Sequence, residues 1–140
     1  MIFTRGMRDK ISKYMNTMNE IVARIGIDGN SVYDYCCFGV DKTGKLSDDR
    51  YMVFYNQTSS PQGEITYQID NKGAIFRINL NRIPTTIDKL VFTTSIDGNG
   101  TMGNIRDFSF TLEQSNSENI NLKMSGNDFK SEKAIIAVEI

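Results

Sequence analysis

The chain has no histidine and no tryptophan. Without an imidazole it can build no Ser-His-Asp triad, no His-activated cysteine, no His-ligated zinc site and no imidazole switch titrating near neutrality. Carboxylate, lysine, tyrosine and cysteine chemistry stay open. Net charge is nearly absent as well: 16 Lys plus Arg stand against 17 Asp plus Glu, a formal charge of -1. That balance argues against a nucleic-acid-binding protein held by phosphate neutralisation. No stretch approaches the roughly 20 apolar residues of a membrane-spanning helix. The opening MIFTRGMRDK carries charges where an export signal needs its apolar run. The expectation is therefore a cytoplasmic chain with no membrane span and no nucleic-acid partner. Cysteine is scarce, and the only two, Cys36 and Cys37, are neighbours. Adjacent strand residues point to opposite faces, so these two are poorly placed to bond each other. They read as small strand residues, one facing a core, in a reducing compartment.

What is present is enough chain for one domain, residues 1–140. A chain of this length buries roughly 68–70% of the surface its unfolded form exposes, so it needs no metal or disulfide merely to stay folded. From about residue 32 onward, short alternating runs are broken by turn residues. Ser31 to Val40 reads as a strand, followed by the turn Asp41 to Gly44. Arg50 to Tyr55 is apolar on both faces, which predicts a central strand covered twice. Asn56 to Gly63 is a loop rich in Ser, Pro and Gly. Ile65, Tyr67 and Ile69 share a strand face before the turn Asp70-Asn71-Lys72-Gly73, and Phe76, Ile78 and Leu80 share the next. Strands follow at Lys89 to Ile96, around Phe108, Phe110 and Leu112, around Ile120, Leu122 and Met124, and at Ala134 to Ile140. The fold class expected is all-β, an antiparallel sandwich of about eight or more strands rather than a small barrel.

The N-terminal part supports two readings. Met7, Ile11, Tyr14, Met15, Met18, Ile21, Val22 and Ile25 follow three-and-four spacing, which predicts an amphipathic helix. The competing reading places strands at Met7 to Lys13 and Glu20 to Ile27, joined by a turn at Asn16-Thr17. Periodicity alone favours the helix.

Several stretches imitate functional motifs. Gly39 to Lys45 has the spacing of a phosphate-binding loop, but Leu46 stands where the magnesium-coordinating hydroxyl belongs, and no helix is predicted to follow. It reads as a turn. Asp28-Gly29-Asn30 and Asp97 to Thr101 start like helix-loop-helix calcium loops. Gly39 and Phe108 stand where the bidentate glutamate is needed, so both read as turns. Arg5, Arg8, Lys10 and Lys13 form a positive cluster without interleaved aromatics and read as a solvated face. Asp48-Asp49 has no apolar pocket in its sequence surroundings to raise a pKa, and reads as solvated loop charge.

The most specific feature is the run Asp48-Asp49-Arg50-Tyr51-Met52-Val53-Phe54-Tyr55-Asn56-Gln57-Thr58-Ser59-Ser60-Pro61-Gln62-Gly63. It resembles the central signature of the TerD family of tellurium-resistance and stress-response domains, an acidic turn before a Val-Phe-Tyr-Asn-Gln strand and a Ser-rich loop. Arg5-Gly6, Ile25-Gly26-Ile27-Asp28, the Tyr33 to Phe38 strand, Asp70-Asn71, the Ile83 to Ile96 segment and Glu132 to Ile140 resemble further family segments, so the likeness covers almost the whole chain. It implies a sandwich from near the N-terminus, hence strands rather than a helix for residues 7–27. It also implies a domain with no established catalytic role that binds calcium through loop carboxylates.

The departures from the family lie at those loops. Val32 replaces the first Asp of the family's Asp-Leu-Asp, Ile27 its Trp and Ile69 its Gly, and the long Gly-Asp-rich loop has shrunk to Lys72-Gly73. The matching metal positions that remain are Asp28, Asp34, Asp70 and Asn71. Calcium takes six to eight oxygens, so the expectation is a degenerate site with no cofactor, and calcium binding through those four residues is the alternative. The resemblance thus implies a non-enzymatic interaction domain of a bacterial stress or tellurium and metal-resistance system, its partners being other proteins of that system. The chain stops where the family's last strand continues, which suggests a domain cut from a longer protein.

Overall fold

The computed structural model describes all residues 1–140. It contains ten strands: β1 Ile2–Phe3, β2 Ile21–Asp28, β3 Val32–Val40, β4 Met52–Val53, β5 Ile65–Asp70, β6 Gly73–Ile78, β7 Lys89–Asp97, β8 Asp107–Glu113, β9 Ile120–Ser125 and β10 Ala134–Glu139. They form two packed layers, a six-stranded sheet in the order β1-β9-β8-β2-β6-β5 and a four-stranded sheet in the order β10-β7-β3-β4. Pairing is antiparallel except between β1 and β9. The expected all-β sandwich is therefore the observed fold, and no helix is long and apolar enough to cross a membrane.

Period-two burial builds the core between the layers. Leu90, Phe92, Thr94 and Ile96 point inward from β7, and Phe108, Phe110 and Leu112 from β8. Phe92 wedges between Phe76 and Phe110 of the opposite sheet, with ring centroids 5.5 and 5.3 Å apart in edge-on geometry. Such aromatic pairs contribute about 0.5–1.5 kcal/mol each beyond their burial, so this trio fastens one layer to the other.

Two sequence expectations fail here. Neither a helix nor a first strand occupies residues 7–13; they hold only the single 3-10 turn Ile11–Lys13. The strand over Glu20 to Ile27 does form, as β2. It is central, with β6 on one side and β8 on the other, so Ile21, Ala23 and Ile25 bury in alternation. Met15 reaches the core from the connection before β2, but Met7 and Met18 of the same stripe are exposed, at 38% and 65%, so the three-and-four spacing marks no continuous buried face. Tertiary pairing overrides the local period.

Arg50 to Tyr55 is not a central strand either. Asp48 accepts from the Arg50 amide at 3.0 Å and clamps its guanidinium at 2.8 Å, which opens a 3-10 turn over Asp49–Tyr51. Only Met52–Val53 then pairs, at the edge of the smaller sheet. The Gln57 amide donates to the carbonyls of Asp49 and Met52, both at 2.8 Å. The apolar run is thus folded back on itself by polar clamps and buries Tyr51 and Val53 without spanning the sheet.

Candidate functional site

The four metal positions suggested by the sequence lie on different elements. Asp28 ends β2 directly opposite Asp107 of β8, a juxtaposition of like charges that costs stability unless compensated. Arg106 compensates it. Its guanidinium donates to Asp28 Oδ1 from Nη2 at 2.7 Å and from Nε at 3.1 Å, and its amide donates to the Asp28 carbonyl at 2.7 Å. The guanidinium beside it holds the Asp28 carboxyl below the usual carboxylate range. Both side chains stay more than half exposed, at 56% and 59%.

Asp70 closes the β5–β6 hairpin, its Oδ1 accepting from the amides of Lys72 at 2.8 Å and Gly73 at 3.1 Å. Asn71 is exposed at the tip of that turn. The hairpin packs against the backbone of β2. A Cβ on Gly73, whose φ is 141°, would overlap the Ile25 carbonyl oxygen, and a Cβ on Gly26 would lie 2.6 Å from the Lys72 carbonyl oxygen. Asp34 belongs to the other sheet, half-buried on β3 opposite Ser95. Burial, reinforced by the Asp34 charge, raises the Tyr67 phenol above its ordinary value.

No group of three or more acidic or cysteine side chains is placed to hold a metal ion. Asp28 Oδ1 is engaged by a guanidinium and Asp70 Oδ1 by two amides, while calcium needs six to eight oxygens. The residues present do not fit a calcium centre in this arrangement.

The other sequence candidates are structural. Asp41 Oδ1 accepts from the Thr43 amide at 2.8 Å, the Thr43 hydroxyl at 2.6 Å and the Lys45 amide at 3.1 Å, so the phosphate-loop imitation is a closed turn. Ser31 Oγ donates to the Asn99 carbonyl at 2.7 Å, which stitches the loop after Asp28 to the loop after Asp97. Cys37 is wholly buried in the core, and Cys36 is buried beside it in the same strand. Burial pushes the Cys36 thiol up to about 12 and Cys37 well above its ordinary value, so neither is a thiolate nucleophile at neutral pH.

Sequence reading missed a fully buried carboxylate, Glu64, just before β5. It accepts from the Tyr51 hydroxyl at 2.6 Å, the Ser60 hydroxyl at 2.8 Å and the Gln62 amide at 2.6 Å. Burial favours its neutral form, but these donors outweigh burial and hold the pKa below its usual value. Tyr51, by burial and by its bond to Glu64, is pushed up to about 12 and stays a donor. The signature run around Asp48 to Gly63 therefore acts as a brace that pins the edge of the small sheet to β5. Only the joint presence of Tyr51, Ser60 and Glu64 signals it, and their pairing is not readable from spacing.

The molecule is thus a two-sheet, largely antiparallel sandwich whose loop carboxylates are held by guanidinium and amide donors. The chain belongs to the TerD domain family, whose profile matches residues 1–140. It is 29% identical over 91 residues to tellurium resistance protein TerA of Alcaligenes sp, a match covering 64% of this chain and 26% of that protein. It is 26% identical over 106 residues to tellurium resistance protein TerD of Serratia marcescens, covering 66% of this chain and 55% of that one. Against general stress protein 16U of Bacillus subtilis (strain 168) it is 26% identical over 156 residues, covering 97% and 80%. The chain thus spans about a quarter of the first relative and about half of the second. The crystal structure of a homologue of telluride resistance protein from Streptomyces coelicolor A3(2) superposes with a TM-score of 0.63 at 13% identity, covering 87% of this chain and 80% of that one. That likeness concerns the fold alone.

Proposed function

We propose that the chain is a non-enzymatic interaction module of a bacterial stress or tellurium-resistance system, working in the cytoplasm. Membership of the TerD domain family over residues 1–140 carries the reading, and relatives named for tellurium resistance and general stress support it. The surface offered to a protein partner is the outer face of the four-stranded sheet. There Phe38 and Val91 stand opposite each other, Thr93 stands opposite Ile136, and Ile136 is 64% exposed. An apolar patch ringed by polar residues is the usual mark of a protein contact.

Pull-down from a bacterial lysate, with and without calcium, tests the role. A partner retained by the native chain and lost by Ile136→Lys is expected. A chain that retains no partner in either condition overturns the reading.

The alternative is calcium binding through Asp28, Asp34, Asp70 and Asn71, and the Arg106 pairing of Asp28 weighs against it. Calorimetric titration is expected to give no saturable heat and no rise in Tm at millimolar calcium. A saturable isotherm would restore the calcium reading.

A further inference from the structure

A cleft of about 710 Å3 opens between the two sheets on the side where β10 faces β9 and β1. The N-terminal stretch from Phe3 to Tyr14 forms part of its wall. Protein interiors pack like organic crystals and leave few voids larger than a water molecule. An opening of this size falls instead within the roughly 300–1,000 Å3 of small-molecule sites. Fifteen of its 23 lining residues are hydrophobic, which suits an aliphatic tail better than a polar metabolite.

The charged residues of the lining decide which head group fits. Asp9 is paired with Lys13 at 3.0 Å and accepts from the Tyr14 hydroxyl at 2.7 Å. Glu139 is paired with Lys89 at 3.8 Å. Glu132 accepts from the Lys130 amide at 2.6 Å and lies in the field of Arg5, whose guanidinium donates to the Asp128 carbonyl at 3.0 Å. Arg8 alone among the lining charges has neither an ion pair nor a hydrogen bond. An apolar cleft with one uncompensated guanidinium in its lining is complementary to a molecule with one tail and one negative head.

We infer that this cleft binds a single-chain anionic amphiphile of the fatty-acid class, with its tail against Phe110, Leu122 and Ile135 and its carboxylate on Arg8. A guanidinium meets a carboxylate in a bidentate, charge-assisted fork. The inference does not rest on a protein partner at the outer sheet face, with which the cleft shares the lining residue Ile136; Arg8 and the tail contacts named here lie outside that patch.

Calorimetric titration of the intact chain with sodium laurate, below its micelle concentration, tests it. Dodecyltrimethylammonium supplies the same tail with the opposite head, and acetate the head without the tail. Saturable one-to-one binding of laurate is expected, at least about tenfold tighter than the trimethylammonium compound, with no heat from acetate. Arg8 is exposed, so Arg8→Gln should leave Tm unchanged and weaken laurate roughly tenfold, the scale of one charge-assisted contact. Because the chain has no tryptophan, Met7→Trp in the cleft lining places a single indole there, whose emission should shift to the blue as laurate saturates. Equal affinity for the two heads, an Arg8→Gln variant that binds laurate as well as the native chain, or no saturable laurate binding would each overturn the inference. Co-sedimentation with phosphatidylglycerol vesicles without binding of monomeric laurate would also overturn it, assigning Arg8 to a membrane surface instead.

Discussion

Glu64 and Thr94 are both buried polar residues, with opposite consequences. Glu64 is ringed by donors, and removing one leaves a charge-assisted acceptor short. Tyr51→Phe should lower stability by about 1.5–3 kcal/mol in urea unfolding at pH 7. The native pKa of Glu64 lies below its ordinary 4.5, so its contribution is complete above that value and lost as pH falls through the native pKa. The gap between wild type and Tyr51→Phe should therefore narrow in acid; a gap constant from pH 7 down to pH 3 would mean that the ionised carboxylate is not what Tyr51 stabilises. Thr94 is wholly buried and its hydroxyl has no partner. The nearly isosteric Thr94→Val removes that unmet group and should raise stability by about 1 kcal/mol. A clear loss on thermal unfolding would show that the hydroxyl is satisfied.

At the scale of elements, the hairpin β5–β6 depends on one glycine. Gly73 sits at φ 141° against the backbone of the central strand β2, where a Cβ would overlap the Ile25 carbonyl. Gly73→Ala should therefore cost at least about 2 kcal/mol, backbone strain and overlap together, whereas Gly44→Ala has φ strain but open space around it. Equal unfolding midpoints for the two variants would contradict this difference. The same element explains why the helical reading of residues 7–25 fails. The pattern runs through two unlike segments, an irregular connection with one 3-10 turn that buries only Met15 and then a central strand. Only the second has neighbours on both sides to reward burial. β4 shows the converse: the run Arg50 to Tyr55 is rich enough in apolar residues for a full strand, yet Asp48 and Gln57 clamp it into a two-residue edge.

For the whole molecule, the join between the layers is the Phe76, Phe92 and Phe110 trio. Phe92→Ala should cost about 3–5 kcal/mol by transfer and cavity terms together, and both sheets should loosen as one. Hydrogen exchange that stayed protected in the six-stranded sheet while the small sheet opened would mean that the layers are stabilised separately. The amino-acid sequence alone sets the sandwich, because period-two burial in strands such as β7 and β8 is written residue by residue and each strand needs a second layer to cover its apolar face. It likewise determined the absence of imidazole chemistry, and its signature run resembled the TerD family. Where carboxylates and cations meet depends on how the sheets pack. Asp28 and Arg106 lie 78 positions apart, and no spacing rule links them. The cleft at Arg8 arises in the same way, from strands distant in sequence that converge only once the sheets have paired, whereas Tyr51 and Glu64 are 13 positions apart and meet because the clamped turn after Asp48 folds the run back onto the start of β5.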